Sequence, residues 1–145
     1  MPGSFTYALL GSDRTPPPAR NVTAPAKNSA ANEPLRTVCK SGYSKTVRHT
    51  SGKLKALIYR EYGLDRTSGH FEIDHLISLE LGGADVAENL WPESQDTTPW
   101  NAHVKDKLED RLHGLVCAGK LPIEQAQREI ANDWIAAYER YLGEP

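Results

Sequence analysis

Residues Phe71 to Gly83 read FEIDHLISLELGG. Phe71 and Ile73 alternate with Glu72 and Asp74, the period-two pattern of a strand with one apolar face. The strand is expected over 70–75, ending on an acid beside an imidazole, Asp74-His75. Neighbours in a regular strand point apart, so this pair can share a site only where the strand ends and twists. Residues 78–89 read as a loop, sharply bent at Gly82-Gly83. Asn89-Leu90-Trp91 reads as a short second strand halted by Pro92.

Outward from this block, Leu54, Leu57, Ile58 and Tyr62 in KLKALIYREYG predict an amphipathic helix closed by Gly63. Thr98-Pro99 predicts a helix start, with Val104, Leu108, Leu112 and Leu115 on one face and Gly119 at the end. A last helix is expected from about Pro122, with Ile123, Ala126, Ile130, Trp134, Ala137 and Tyr141 on its apolar side. Upstream, LRTVCKSGYSKTVRH carries β-branched and aromatic residues around Ser41-Gly42 and reads as a hairpin. Residues 1–34, with Pro16-Pro17-Pro18 and runs of Ala, Asn and Ser, read as a flexible leader. Residues 35–145 are expected to be one domain.

The chain has 145 residues, 39% of them apolar, and a formal net charge of −2. That length buries roughly 68–70% of the unfolded surface without help from a metal. The charge excludes long nonspecific wrapping of DNA but leaves a local phosphate site open. Neither HExxH, GxSxG nor a Gly-rich phosphate loop occurs, which argues against zincin, serine hydrolase and nucleotide-binding classes. No stretch is apolar and long enough to cross a membrane. The first residues lack the pattern of a signal peptide, so a secreted form would already have lost it. The two cysteines, Cys39 and Cys117, make no CxxC pair. They are either buried free thiols or a single disulfide, and the disulfide would place the chain outside the cytoplasm.

An imidazole suits a general base near neutral pH, and a carboxylate suits a hard cation such as Mg²⁺ or Mn²⁺. The run FEIDHLISLELGGADVAENLWPE resembles the core of HNH endonucleases, a ββα-metal family. His75 and Asn89 stand fourteen positions apart, as in that family's pattern. The upstream Thr37-Val38-Cys39, Gly42-Tyr43 and Val47-Arg48, and the downstream helices, look like a small bacterial HNH-like subgroup. The resemblance spans about residues 35–140, with its core motif at 70–118.

It implies an α+β fold: a ββα core with an added N-terminal hairpin and helix and C-terminal helices. It also implies a metal-dependent endonuclease acting on nucleic acid, DNA foremost. His75 would be the general base, Asp74 the first metal ligand and Asn89 the residue orienting loop and base. The remaining ligand would come from the start of the following helix: His103 by type, Asn101 as rival, Asp96 a distant third. The cofactor would be Mg²⁺ or Mn²⁺, or Zn²⁺ or Ni²⁺ with His103 as ligand. Arg48 and Lys105 are candidates for phosphate, although acids interleave Lys105, Lys107 and Arg111 as on a solvated helix face. Trp91 and Trp100 would either stack a base or pack under the helix, the second being the commoner role.

Two departures stand out. Ser78 occupies the place where many members have proline, and the chain lacks the four cysteines of a structural zinc. A Cys39–Cys117 bridge would replace part of that zinc's stapling, by roughly 2–4 kcal/mol. The competing reading is an inactive HNH-like module that binds nucleic acid or protein.

Overall fold

The computed structural model describes residues 33–67 and 69–145. The leader expected over 1–34 lies almost wholly outside them. The fold is α+β: a two-stranded antiparallel hairpin flanked by several helices, a ββα core with additions. In chain order come α1 (Glu33–Val38), α2 (Tyr43–Val47), α3 (Gly52–Glu61), β1 (Phe71–His75), β2 (Leu90–Ser94), α4 (Ala102–Cys117) and α5 (Ile123–Leu142).

β1 pairs with β2 in the register Phe71↔Ser94 to His75↔Leu90, so β2 runs through Pro92 rather than stopping there. Proline forfeits one ladder donor, which a two-stranded ribbon tolerates because both strands are edges. Between the strands, 3-10 turns at Leu79–Leu81 and Ala87–Asn89 shape the connection. Gly82 closes the first of them in the left-handed region, at φ 86°. Gly83 is required by space instead: a Cβ there would lie 1.8 Å from the Ile77 carbonyl oxygen.

The hairpin expected at residues 35–49 is a pair of short helices, α1 and α2. Leu35, Val38 and Cys39 follow i, i+3, i+4 spacing, and all three turn inward against the core. Gly42, at φ 79°, marks the N-cap of α2 rather than a hairpin turn. α4 begins later than expected. Its cap is Asn101, whose Oδ1 accepts from Val104 N at 3.1 Å, and the Thr98-Pro99 peptide before it is cis. Asp133 interrupts the helical backbone of α5 and caps its second half by accepting from Ala136 N.

The core joins α4 and α5 (Leu108, Leu112, Val116, Ile130, Trp134, Ile135) to Leu76, Leu81 and Trp91 from the hairpin side. Trp91 is 1% exposed, and Trp100 packs edge-on against Trp134 and Tyr138. Both tryptophans therefore serve packing, the commoner of their two expected roles.

Cys39 and Cys117 are joined in a disulfide, linking the end of α1 to the end of α4. That bond marks an oxidising, non-cytoplasmic compartment. No helix among the described residues is long and apolar enough to cross a membrane.

Candidate functional site

Where β1 ends, a cavity of about 260 Å³ opens against α4. Asp74 and His75 both line it, as the expected twist at the strand end requires. From β1 and the following loop also come Glu72, Ser78 and Glu80; Asp106 and Glu109 come from α4, and Ser44 and Arg48 from around α2.

His75 is 4% exposed. Its Nε2 lies 2.8 Å from Asp85 Oδ1. Asp85 also accepts from Thr50 Oγ1 at 2.6 Å and from the backbone N–H of His49. Burial pushes the Asp85 carboxyl upward, but the hydrogen bonds from Thr50, His75 and His49 outweigh it and hold the group below its ordinary value. An ionised Asp85 only accepts, so His75 Nε2 carries the hydrogen. That leaves Nδ1 as the basic nitrogen, and it makes no hydrogen bond among the described residues. Burial depresses the His75 pKa despite Asp85 and Asp74, so the ring is neutral at pH 7.

Asn89 is 1% exposed and braces the turn behind the histidine. Its Oδ1 accepts from Ile77 N at 3.0 Å, and its Nδ2 donates to the carbonyls of Ile77 and Ala84 at 2.9 and 2.8 Å. Its own carbonyl accepts from Leu76 N. The two residues that follow His75 are thus fixed to the start of β2.

Asp74 lines the cavity, but a buried ammonium already holds its Oδ2. Lys105 Nζ donates to Asp74 Oδ2 and to the His75 carbonyl, each at 2.9 Å, and to Glu109 Oε2 at 2.5 Å. The lysine side chain is wholly buried. It is neither on the solvated face that the interleaved acids suggested nor at the surface where phosphate could meet it, and only Arg48 of the two phosphate candidates lines the cavity. Two carboxyls bond this one ammonium, and a third, Glu93, acts on it through its charge. Burial would lower the Lys105 pKa, but the charges of Asp74, Glu109 and Glu93 raise it. Burial would likewise raise Asp74, yet Lys105 outweighs it and holds Asp74 low. Glu109 and Glu93 take up the surplus: burial and the Asp74 charge push Glu109 up to about 8 and Glu93 well above its ordinary value.

The remaining ligand candidates are engaged elsewhere. Asn101 caps α4 and donates to the Thr97 carbonyl. His103 is exposed, and Asp96 pairs with His70. Among the described residues, one group alone brings metal-ligand atoms within 4.8 Å of one another: Cys39, His113 and Cys117. Its two sulfurs are spent in the disulfide, so that group cannot hold an ion through both of them. The divalent cofactor expected on Asp74 with His103 or Asn101, whether Mg²⁺, Mn²⁺, Zn²⁺ or Ni²⁺, is therefore corrected. The residues present do not fit it.

The burial of Lys105 has a signal that the charge pattern masked: it precedes Leu108 by three and Leu112 by seven on the α4 stripe. Asp85 carried no local signal, because its meeting with His75 depends on the whole loop between β1 and β2.

The arrangement is that of a generic ββα-type domain: a hairpin, a helix packed across its end, and a buried histidine held by a carboxylate. No family profile, curated protein or solved structure matches the chain.

Proposed function

We propose that the chain is an HNH-like phosphodiesterase acting on nucleic acid, with His75 as general base and no divalent ion. The observation that carries this reading is the His75–Asp85 pair, which leaves a neutral imidazole nitrogen unpaired beside a cavity that Arg48 also lines. Nδ1 would take the proton of the attacking water as its oxygen bonds phosphorus and the ester bond to the leaving oxygen breaks, that oxygen taking its proton from solvent, while Asp85 stabilises the imidazolium that forms. Arg48 would meet the non-bridging oxygens, offering a planar fork that suits phosphate. Asn89 would keep the turn after His75 from moving during the reaction. Lys105 would act from behind, fixing Asp74 and the His75 carbonyl without touching substrate.

One observation favours the inactive-module reading. The cavity's other walls are acidic and the Lys105 ammonium is wholly buried, so Arg48 is the one basic side chain lining it that phosphate could meet. Cleavage of plasmid and of single-stranded substrates in excess EDTA separates the two. The nuclease reading expects activity that survives EDTA and falls at least about 10²-fold in His75→Ala, with an unchanged thermal melt. Substrate shifted on a gel but left intact, by both proteins, would give the case to the binding module.

A further inference from the structure

The carboxylate that the resemblance gives to a metal is already held by a side chain. Lys105 Nζ bonds Asp74 Oδ2 and the His75 carbonyl, each at 2.9 Å, and it is wholly buried. An ammonium is no Lewis acid, so it neither coordinates a water nor lowers its pKa from about 15.7. Activation of the attacking oxygen therefore falls to His75 alone, and free water is a poor partner for an imidazole base. A nucleophile carried by the substrate, next to the phosphorus, changes that balance. Well-oriented intramolecular reactions reach effective concentrations of about 10⁵–10⁸ M, which even against bulk water leaves an advantage of about 10³-fold or more.

In nucleic acid one group has that position, the ribose 2′-hydroxyl, which RNA carries and DNA lacks. The surroundings of His75 fit such a strand. Its Nδ1 makes no hydrogen bond among the described residues, and the ring lines the cavity. Among those residues Arg48 is the one cationic side chain lining it, and its charge reaches the His75 ring. A phosphate on the guanidinium thus stands beside the imidazole. Ionised Glu72, Glu80 and Asp106 only accept hydrogen bonds, which suits sugar hydroxyls and turns away further phosphates. A cavity of about 260 Å³, small even for a ligand cleft, takes one sugar and its phosphate and not the two backbones of a duplex.

We propose that the substrate is single-stranded RNA and that its 2′-hydroxyl, not water, makes the first attack. This rests on the phosphodiesterase reading of His75. Nδ1 takes the proton of the 2′-hydroxyl, O2′ bonds phosphorus, and the bond from phosphorus to O5′ breaks. O5′ takes a proton from solvent, and the imidazolium returns its own to solvent. The products are a 2′,3′-cyclic phosphate and a 5′-hydroxyl end. Attack by water is then the second step, which opens the cyclic ester with O2′ as the leaving oxygen.

The test uses the full chain in excess EDTA at pH 7, with a single-stranded DNA oligonucleotide that carries one ribonucleotide. Matched strands carry 2′-deoxy or 2′-O-methyl sugar at that position, and mass spectrometry reads the new ends. The expected result is cleavage directly 3′ of the ribonucleotide, at least about 10³-fold faster than at any deoxy position, with a cyclic phosphate left behind. The 2′-O-methyl strand should stay intact. His75→Ala, prepared in parallel, should lose at least about 10²-fold, and the substrate series carries the test if that variant disturbs the fold. Deoxy and ribo strands cut at similar rates, or a 2′-O-methyl strand that is cut, would overturn the proposal and leave the phosphodiesterase reading standing. No cleavage of any strand, or an equal rate in folded His75→Ala, would overturn both.

Discussion

At the scale of single residues, His75 is controlled by two opposing influences. Burial takes its pKa down and Asp85 brings it part of the way back. If the ring is the base, kcat/KM rises with pH through an apparent value below 6.5 and is flat at neutrality, because only the neutral ring accepts a proton. Replacing Asp85→Asn removes the charge that stabilises the imidazolium. The rate should fall by about 10²–10⁴-fold, and the acid limb should move further toward low pH. A merely structural Asp85 would lower the rate and leave the limb in place. The folded chain is also penalised in acid. Its histidine resists the proton that the unfolded chain accepts below about 6.5, so this contribution to stability is lost as pH falls. The place of these residues in the fold was legible in the sequence. The Asp74-His75 pair and Asn89 at its spacing marked the right strand end. Their partners were not legible, because Asp85 and Lys105 reach them only through the loop and through α4.

Among the elements, β1 and α4 are joined by charge rather than by apolar contact alone. The Lys105 ammonium links Asp74, the His75 carbonyl and Glu109. Glu93 stands beside them on β2, its carboxyl buried and hydrogen-bonded to Asp74. Such a cluster is not automatically stabilising, since desolvation offsets much of the attraction. Its signature is a pH dependence. The Glu109 carboxyl ionises at about 8 in the fold against an ordinary 4.5, so the folded chain keeps a proton that the unfolded chain releases. This contribution is complete below 4.5 and is lost as pH rises toward 8. Glu109→Gln cannot show that loss. In urea titrations its stability relative to wild type should climb between pH 5 and 8, at a slope of up to about 1.4 kcal/mol per pH unit. Parallel curves would mean that Glu109 is ionised throughout the window and fully satisfied by Lys105. The sequence marked the elements themselves well, because α3, α4, α5 and β1 each carry a clean apolar period. It misplaced α1 and α2, where Val38 and Val47 suggested strand while Leu35, Val38 and Cys39 already lay on one helical face.

For the whole molecule, one covalent link joins the end of α1 to the end of α4 across the hairpin and cavity. Cys39 and Cys117 are 78 positions apart, and between them lie both strands, the cavity and nearly all of α4. Closing a loop that long removes conformations from the unfolded chain worth about 4.5 kcal/mol, although measured bridges more often deliver about 2–4. The link also lies next to the site. His113, one turn before Cys117, bonds the Val38 carbonyl at 2.9 Å and faces Glu80, which lines the cavity. A Cys39→Ser/Cys117→Ser variant should therefore lose about 2–4 kcal/mol in urea denaturation and still reach the same fold, because Leu108, Leu112, Ile130 and Trp134 remain buried together. Reduced wild type should unfold at the same urea concentration as the double variant, since both lack the same constraint. If reduction changed nothing, loop closure would not be a source of this chain's stability, and its small core would be sufficient without the bridge.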